Sequence, residues 1–448
     1  MFIPRRVDAE SGRPRTLPVP KSVREFLHTE AAGGVVLLLG AVAALAWANS
    51  PWHASYTSFW HTPVNLELGP LSFDEDLREL VDEALMAIFF FVVGLEIKRE
   101  LVVGELQSWK TASLPAVGAL GGMVVPALLY VALAGGGDAA KGWGIPMATD
   151  IAFAVGVVAL LGSRVPGSLK LFLLTLAIVD DLGAIVVIAA FYSEGISFAY
   201  LAGAAATLVL VVLAQRARII WMPLYIVLGA TVWYLTYRSG VHATIAGAIL
   251  GLLAPARPLA AVETAREWAE DLADDPNPRT LTSLTRLAKN SLSVAERLQH
   301  NLHPWTSFGV IPLFALANAG VRFEAGAFEA DGATGVVLGV VVGLVVGKTV
   351  GIAAASWLAV RFGIGTLPRG VRWSQMLGIA AAAGIGFTVS LFIAGLAFPE
   401  PELEAAAKIG IVIASALAWV AGTVLLTRAA RSGAPPVVTE VDTELATP

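Results

Sequence analysis

The chain has 448 residues, 56% of them apolar and 15% charged, with a mean hydropathy of +0.72 and a formal net charge of −5. Ordinary soluble domains are less apolar and more charged. The absence of cysteine excludes disulfides, thiolate chemistry and cysteine-ligated metals. Apolar stretches recur along nearly the whole chain, so it reads as an all-α polytopic membrane protein. The period-two alternation that marks a membrane barrel is missing.

In chain order, residues 1–30 form a polar, basic, proline-bearing tail. About twelve apolar spans follow, each near the ~20 residues that a bilayer requires. They fall at 31–50, 80–103, 112–134, 147–162, 169–192, 198–215, 221–237, 241–254, 304–320, 335–360, 373–397 and 405–428. Ala46-Trp47-Ala48 imitates a signal-peptidase site, but the run before it is longer than a usual signal core. Residues 62–73 alternate around Gly69-Pro70 and fit either an external β-hairpin or an irregular loop. Residues 256–299 are a charged, proline-containing insertion that suits short amphipathic helices. The membrane domain thus covers 31–430, and residues 431–448 form a disordered tail.

Basic residues set the orientation. Six precede the first span, and Lys98, Arg99, Lys110, Arg164, Lys170, Arg216, Arg218, Arg361, Arg369 and Arg372 all fall in alternate loops. The opposite loops hold at most a lone basic residue. Both termini and the 256–299 insertion are therefore expected in the cytoplasm.

Asp180 and Asp181 lie inside the fifth apolar run, with no basic residue after Lys170 to neutralise them. Carboxylates at membrane depth are costly unless paired, protonated or hydrated. Neighbours on a helix point about 100° apart, so the two need not face one cavity. They read as a proton or cation site; the bland alternative is one buried hydrogen bond with an incidental neighbour. Thr149 and Asp150 open a short fourth span behind Pro146, as an interrupted helix would or as a simple N-cap would. Lys348 is the lone ionisable residue of the tenth span, and from that depth it needs a buried carboxylate: Asp180, Asp181 or Asp150. The eleventh span is broken by Gly384 and Gly386. Two interrupted spans in corresponding halves point to a transporter site, although close helix packing also favours glycine. Glu96, Arg99 and Glu100 share a helix face, and His242 opens another span. They suit a pH-responsive mouth or plain boundary charges.

No phosphate-binding loop, zinc-protease helix or nucleophile elbow is present, so ATP-driven pumping and hydrolysis are not expected. An intramembrane aspartyl protease also needs two membrane aspartates. Gly135-Gly136-Gly137-Asp138 imitates one of its motifs but falls in a loop.

The strings ALMAIFFFVVGLEIKREL (84–101), IPMATDIAFAVGVVALLGSRVP (145–166), LAIVDDLGAI (176–185), SGVHATIAG (239–247), LHPW (302–305), GKTVGI (347–352) and GIGFTVSLFIAGLAF (384–398) together resemble the NhaA family of sodium/proton antiporters. The resemblance covers about residues 30–430, with the motifs in family order. This family is a standard example of inverted repeats with discontinuous helices, so that architecture is implied by resemblance and not read from residues. The resemblance implies Na⁺ or Li⁺ export against proton import, electrogenic and pH-regulated, serving sodium and pH homeostasis across a bacterial cytoplasmic membrane. It implies Asp181 as principal cation ligand, Asp180 as its proton-exchanging neighbour, and Lys348 as partner of a site carboxylate, foremost Asp180. Thr149 and Asp150 would lie where two broken helices cross, with Asp150 balancing their dipoles. Glu96, Arg99, Glu100 and His242 match positions tied to pH response and the cytoplasmic funnel, and the 62–73 hairpin matches a homodimer contact. No cofactor beyond the transported ions and no nucleic acid is expected. Two departures bear on pH response: Gln299 stands where a glutamate is usual, and Glu83 where an aspartate is found.

Overall fold

A computed structural model describes residues 21–68, 71–193, 195–219, 221–257, 291–323 and 330–431. The tails at 1–20 and 432–448, and most of the 256–299 insertion, lie outside the described residues. A membrane interior offers no water to unpaired backbone, so the apolar runs fold as helices.

The first helix, α1 (Lys21–Ala48), starts ahead of the expected span, because nothing between Lys21 and Glu30 breaks it. A short α2 (His53–Trp60) leads into strands β1 (Pro63–Leu68) and β2 (Leu71–Asp76). These pair antiparallel from Pro63↔Asp76 to Leu68↔Leu71. Of the two readings of this stretch, the paired strands favour the hairpin, and its second strand continues to Asp76. The Asp76 side chain then accepts from Glu79 N at 2.9 Å and caps α3 (Leu77–Leu80). A π-turn, Val81–Leu85, carries α3 into α4 (Met86–Val102).

After α5 (Trp109–Ala134), a 3₁₀ segment (Gly137–Met147) and α6 (Ile151–Leu161) form one bent pair, at 43°. Then come α7 (Gly167–Phe191), α8 (Phe198–Arg216), α9 (Met222–Arg238) and α10 (Thr244–Leu253). Beyond the insertion, α11 (Val294–Trp305) passes through a π-turn into α12 (Ile311–Asn318). A further π-turn, Gly343–Gly347, joins α13 (Ala333–Val342) to α14 (Lys348–Arg361). The second bent pair, at 48°, is α15 (Trp373–Ala382) with α16 (Phe387–Ala397), and α17 (Pro401–Arg431) closes the bundle.

Among the described residues, six helices are long and apolar enough to cross a membrane, or eight spans when each bent pair counts as one. The expected fourth and eleventh spans are the two bent pairs. The expected spans at 80–103, 221–237, 241–254 and 304–320 are helical but shorter.

Small residues let these helices touch. The α4–α10 contact is backbone to backbone: a Cβ on Gly247 would lie 2.0 Å from Ala87 O. At the second break, a Cβ on Gly384 would lie 2.4 Å from Leu344 O. Only glycine lets the link between α15 and α16 pass this close to the π-turn before Lys348.

Candidate ion site

The two breaks meet. The extended residues Ala148, Thr149 and Asp150 run against residues 383–386 of the second pair. Asp150 N donates to Ile385 O at 2.6 Å, and Ser390 Oγ donates to Ile145 O at 2.8 Å. The Asp150 carboxylate is 2% exposed and fully used. Its Oδ1 accepts from Phe153 N at 3.1 Å, in the first turn of α6. Its Oδ2 accepts from Thr388 N at 3.0 Å and Thr388 Oγ1 at 2.7 Å, in the first turn of α16. One carboxylate therefore caps two half-helices, and its negative charge lies at both of their positive ends. In this geometry the simple-cap and interrupted-helix placements of Asp150 coincide.

Asp180 and Asp181 occupy the middle of α7, and helical geometry sends them apart. Asp180 is 1% exposed and points at α14, where Lys348 Nζ lies 2.6 Å from its Oδ2. Lys348 is 0% exposed and also donates to Met147 O, a carbonyl freed just before the first break. Thr149 Oγ1 reaches both Asp180 Oδ2 and Ala383 O. Its single proton serves one of them at a time. Asp180 Oδ1 is buried with no partner among the described residues. Of the three candidate partners for Lys348, the structure selects Asp180.

Asp181 is 5% exposed and has neither hydrogen bond nor ion pair among the described residues. It lines a cavity of about 40 Å³ together with Asp150, Thr149, Thr388, Glu96 and Glu30. A water's share of liquid volume is about 30 Å³, so this space fits a water or a small dehydrated cation. The oxygen-only donor set suits a hard cation.

The mouth of this cavity holds Glu96, which accepts from Gln299 Nε2 at 3.0 Å. Beside it, His303 Nε2 lies 2.7 Å from Glu30 Oε1 and 3.9 Å from Glu96 Oε1. Burial draws the His303 pKa down, but the bond to Glu30 and the charges of Glu30 and Glu96 outweigh it and hold it above the ordinary value. Arg99 turns instead to its neighbour Glu100, at 2.9 Å, and Glu100 also accepts from Glu105 N. These two are therefore not among the groups lining the cavity, although they share a helix with Glu96.

His242 lies elsewhere. Its Nδ1 is 3.2 Å from Glu83 Oε1, and its Nε2 is 2.8 Å from Tyr192 O. Glu83 precedes Glu96 by 96 − 83 = 13 residues on the same rod, about 20 Å at 1.5 Å per residue. His242 thus belongs to the hairpin end of the bundle and not to the cavity mouth. Asp138, of the protease-like string, pairs with Lys141 in an exposed turn and meets neither aspartate.

Sequence reasoning missed Glu30 and Thr388. Glu30 precedes the first apolar run and reads as a boundary charge; Thr388 follows Gly386 and reads as part of a helix. An acidic residue and a hydroxyl beside helix breaks were the available signals.

A carboxylate pair at the crossing of two broken helices, one member balanced by a buried lysine and the other facing a small cavity, defines an ion-coupled secondary transporter. Residues 24–426 match the family model described as Na⁺/H⁺ antiporter 1, and the chain belongs to that family. It is 46% identical to the Na⁺/H⁺ antiporter NhaA 2 of Myxococcus xanthus, over 98% of this chain and 94% of that one. It is 48% identical to the Na⁺/H⁺ antiporter NhaA 3 of Frankia alni, over 92% and 90%. With the Na⁺/H⁺ antiporter NhaA of a Janthinobacterium species the identity is 46%, over 90% and 91%. The chain is a multi-pass membrane protein of the antiporter class, as the apolar runs and the family resemblance implied.

Proposed function

We propose that this protein exports Na⁺ or Li⁺ in exchange for protons, driven by the proton-motive force. The observation that carries this reading is Asp181: a buried carboxylate with no partner among the described residues, on a cation-sized cavity, beside a second carboxylate held by lysine. In the inward-open state Asp180 and Asp181 are deprotonated, and the cation binds Asp181 with Asp180 as second ligand. The cation then supplies the positive charge that Lys348 supplies in its absence, and the lysine is released. After reorientation the cation leaves, protons return to the carboxylates, and the cycle closes. Because ion and protons compete for the same oxygens, one site performs both half-reactions. Moving more protons than cations makes the exchange electrogenic.

In this reading Thr149 and Asp150 hold the crossing, while Glu96, with Arg99 and Glu100 one turn further, tunes the response to pH. His242 with Glu83 does so from the hairpin end. All twelve expected spans cross a bacterial cytoplasmic membrane with both termini inside, and the hairpin joins two copies into a homodimer.

The test is exchange in proteoliposomes under an imposed pH gradient, read with a pH-gradient dye on addition of Na⁺, Li⁺ or K⁺. Wild type dissipates the gradient with Na⁺ or Li⁺. Asp181→Asn, folded by its melting curve, does not. Wild-type exchange in that variant would refute the assignment.

A further inference from the structure

The mechanism above leaves untouched a second and larger cavity, of about 150 Å³, at the hairpin end of the bundle. At about 30 Å³ per water it holds on the order of five waters' volume. Its wall includes the cationic side chains Arg78, Arg322 and Lys408, with His53, Tyr56 and Trp60, and no aspartate or glutamate. Carboxylates that touch the wall residues are already engaged, Asp76 lying 4.0 Å from His61. Glu404 pairs with both Arg78 and, at 2.7 Å, Lys408. Asp82 accepts from Asn318 Nδ2 at 2.6 Å, and Asn318 Oδ1 accepts from Arg78 Nε at 3.0 Å.

Hydrogen bonding here is lopsided toward donors. Trp60 is 3% exposed, and its Nε1, a donor only, finds no acceptor among the described residues. Arg78 uses two of its five N–H groups, on Asn318 and Glu404. Lys408 is 6% exposed and spends one of its three N–H groups on Glu404. The Tyr56 hydroxyl is turned away, donating toward Leu316 O and Ala317 O. The aromatic wall is fixed: Trp60 packs edge-on against Tyr56 and Phe59, and Trp47 packs on Tyr56. Buried donors without acceptors cost free energy.

We infer that this cavity is an anion site, which takes a small inorganic anion of the chloride class between Arg78, Lys408 and Trp60 Nε1. The anion accepts the unspent N–H groups of Arg78 and Lys408 together with that of Trp60. It bridges α2, the start of the α3–α4 rod, the end of α12 and the start of α17, away from the parts of α4 and α12 that line the cation cavity. The inference does not rest on the transport reading, because binding is read without transport.

The experiment uses the full-length protein in lipid-free detergent at constant ionic strength, with gluconate, too large for the cavity, as the reference anion. Chloride binding is followed by chloride NMR line broadening and by melting temperature. Saturable broadening and a raised melting temperature in chloride are expected. Trp60→Phe keeps the ring and loses only the donor, so it should weaken binding at least about ten-fold, the effect of one hydrogen bond to a charged group. Lys408→Met provides a second variant should Trp60→Phe fold poorly, and should abolish saturation. Asp181→Asn should bind chloride as wild type does. Equal melting in chloride and gluconate without saturable broadening would overturn the inference and leave the cavity to water. Stabilisation by phosphatidylglycerol alone, reproduced by neither chloride nor inorganic phosphate, would overturn it in favour of a lipid headgroup.

Discussion

Replacing Lys348 by methionine keeps most of the side-chain volume and removes the charge. Asp180, 1% exposed and 2.6 Å from the lost ammonium, is then a buried carboxylate with only Thr149 beside it. Breaking one half of a buried pair costs about 3–5 kcal/mol. Spread over an unfolding entropy of ~2 cal/mol/K per residue for roughly 400 residues, 4 kcal/mol lowers the melting temperature by about 5 °C. Asp180→Leu alone leaves the ammonium with Met147 O as its only partner and should cost a similar amount. The double variant Lys348→Met with Asp180→Leu replaces the pair by apolar atoms, which is close to neutral. Its melting temperature should therefore return to within about 2 °C of wild type, a coupling typical of groups in direct contact. Transport should not return, because the second carboxylate is gone. Melting in detergent and dye-monitored exchange in proteoliposomes read the two properties separately. If Lys348→Met melts like wild type, or if the two single losses simply add, the lysine does not hold Asp180 and the argument fails.

Three other outcomes follow from the same geometry. Asp150→Ala removes the cap from α6 and from α16 together; at about 1 kcal/mol per cap the loss should be roughly 2 kcal/mol or more, whereas Thr388→Val should lose less. Equal losses in a denaturant or thermal series would show that only one helix end depends on Asp150. Gln299→Glu sets a second carboxylate where an amide now donates to Glu96 at 3.0 Å. Two carboxylates in contact resist joint ionisation, so the activity midpoint should move to higher pH; an unmoved pH profile would remove Gln299 from the pH response. Glu30→Gln takes away the charge that raises the His303 pKa, so this histidine should deprotonate at lower pH than in wild type. Histidine NMR with His303→Gln for assignment would read the shift, and a titration that stays put would dissociate the two residues.

The charges that govern the site were legible because a membrane leaves so few innocent explanations for them. Asp180 and Asp181 as a pair, and Lys348 alone, stand in apolar runs, and their mutual dependence followed from cost. Glycine and proline marked both helix breaks. Which aspartate takes the lysine was not legible, since that depends on how α7 is rotated against α14. Glu30 escaped because it sits at a boundary where charges are ordinary; its value comes from α11, more than 260 residues away, which delivers His303 to it. His242 was legible as a titratable group but not as a neighbour of Glu83, because helix order along the chain does not state which ends meet. Alternation around a Gly-Pro pair is a local property, so the hairpin stood as one of two readings of residues 62–73, whereas the π-turns left no mark in the sequence.

The shared cap at Asp150 has a consequence for how the protein is made. Thr388, which satisfies one oxygen of that carboxylate, follows it by 238 residues. At a synthesis rate of about 5–20 residues per second, Thr388 emerges roughly 12–50 s later. For that interval the fourth span holds a charged group without its second set of donors, in a setting where idle polar groups are expensive. The first half of the chain should therefore wait at the edge of the insertion machinery, hydrated or chaperoned, until the eleventh span arrives. Biogenesis of this transporter would then end in a late, all-or-none closure, and a ribosome stalled before residue 388 would leave a product open to membrane proteases.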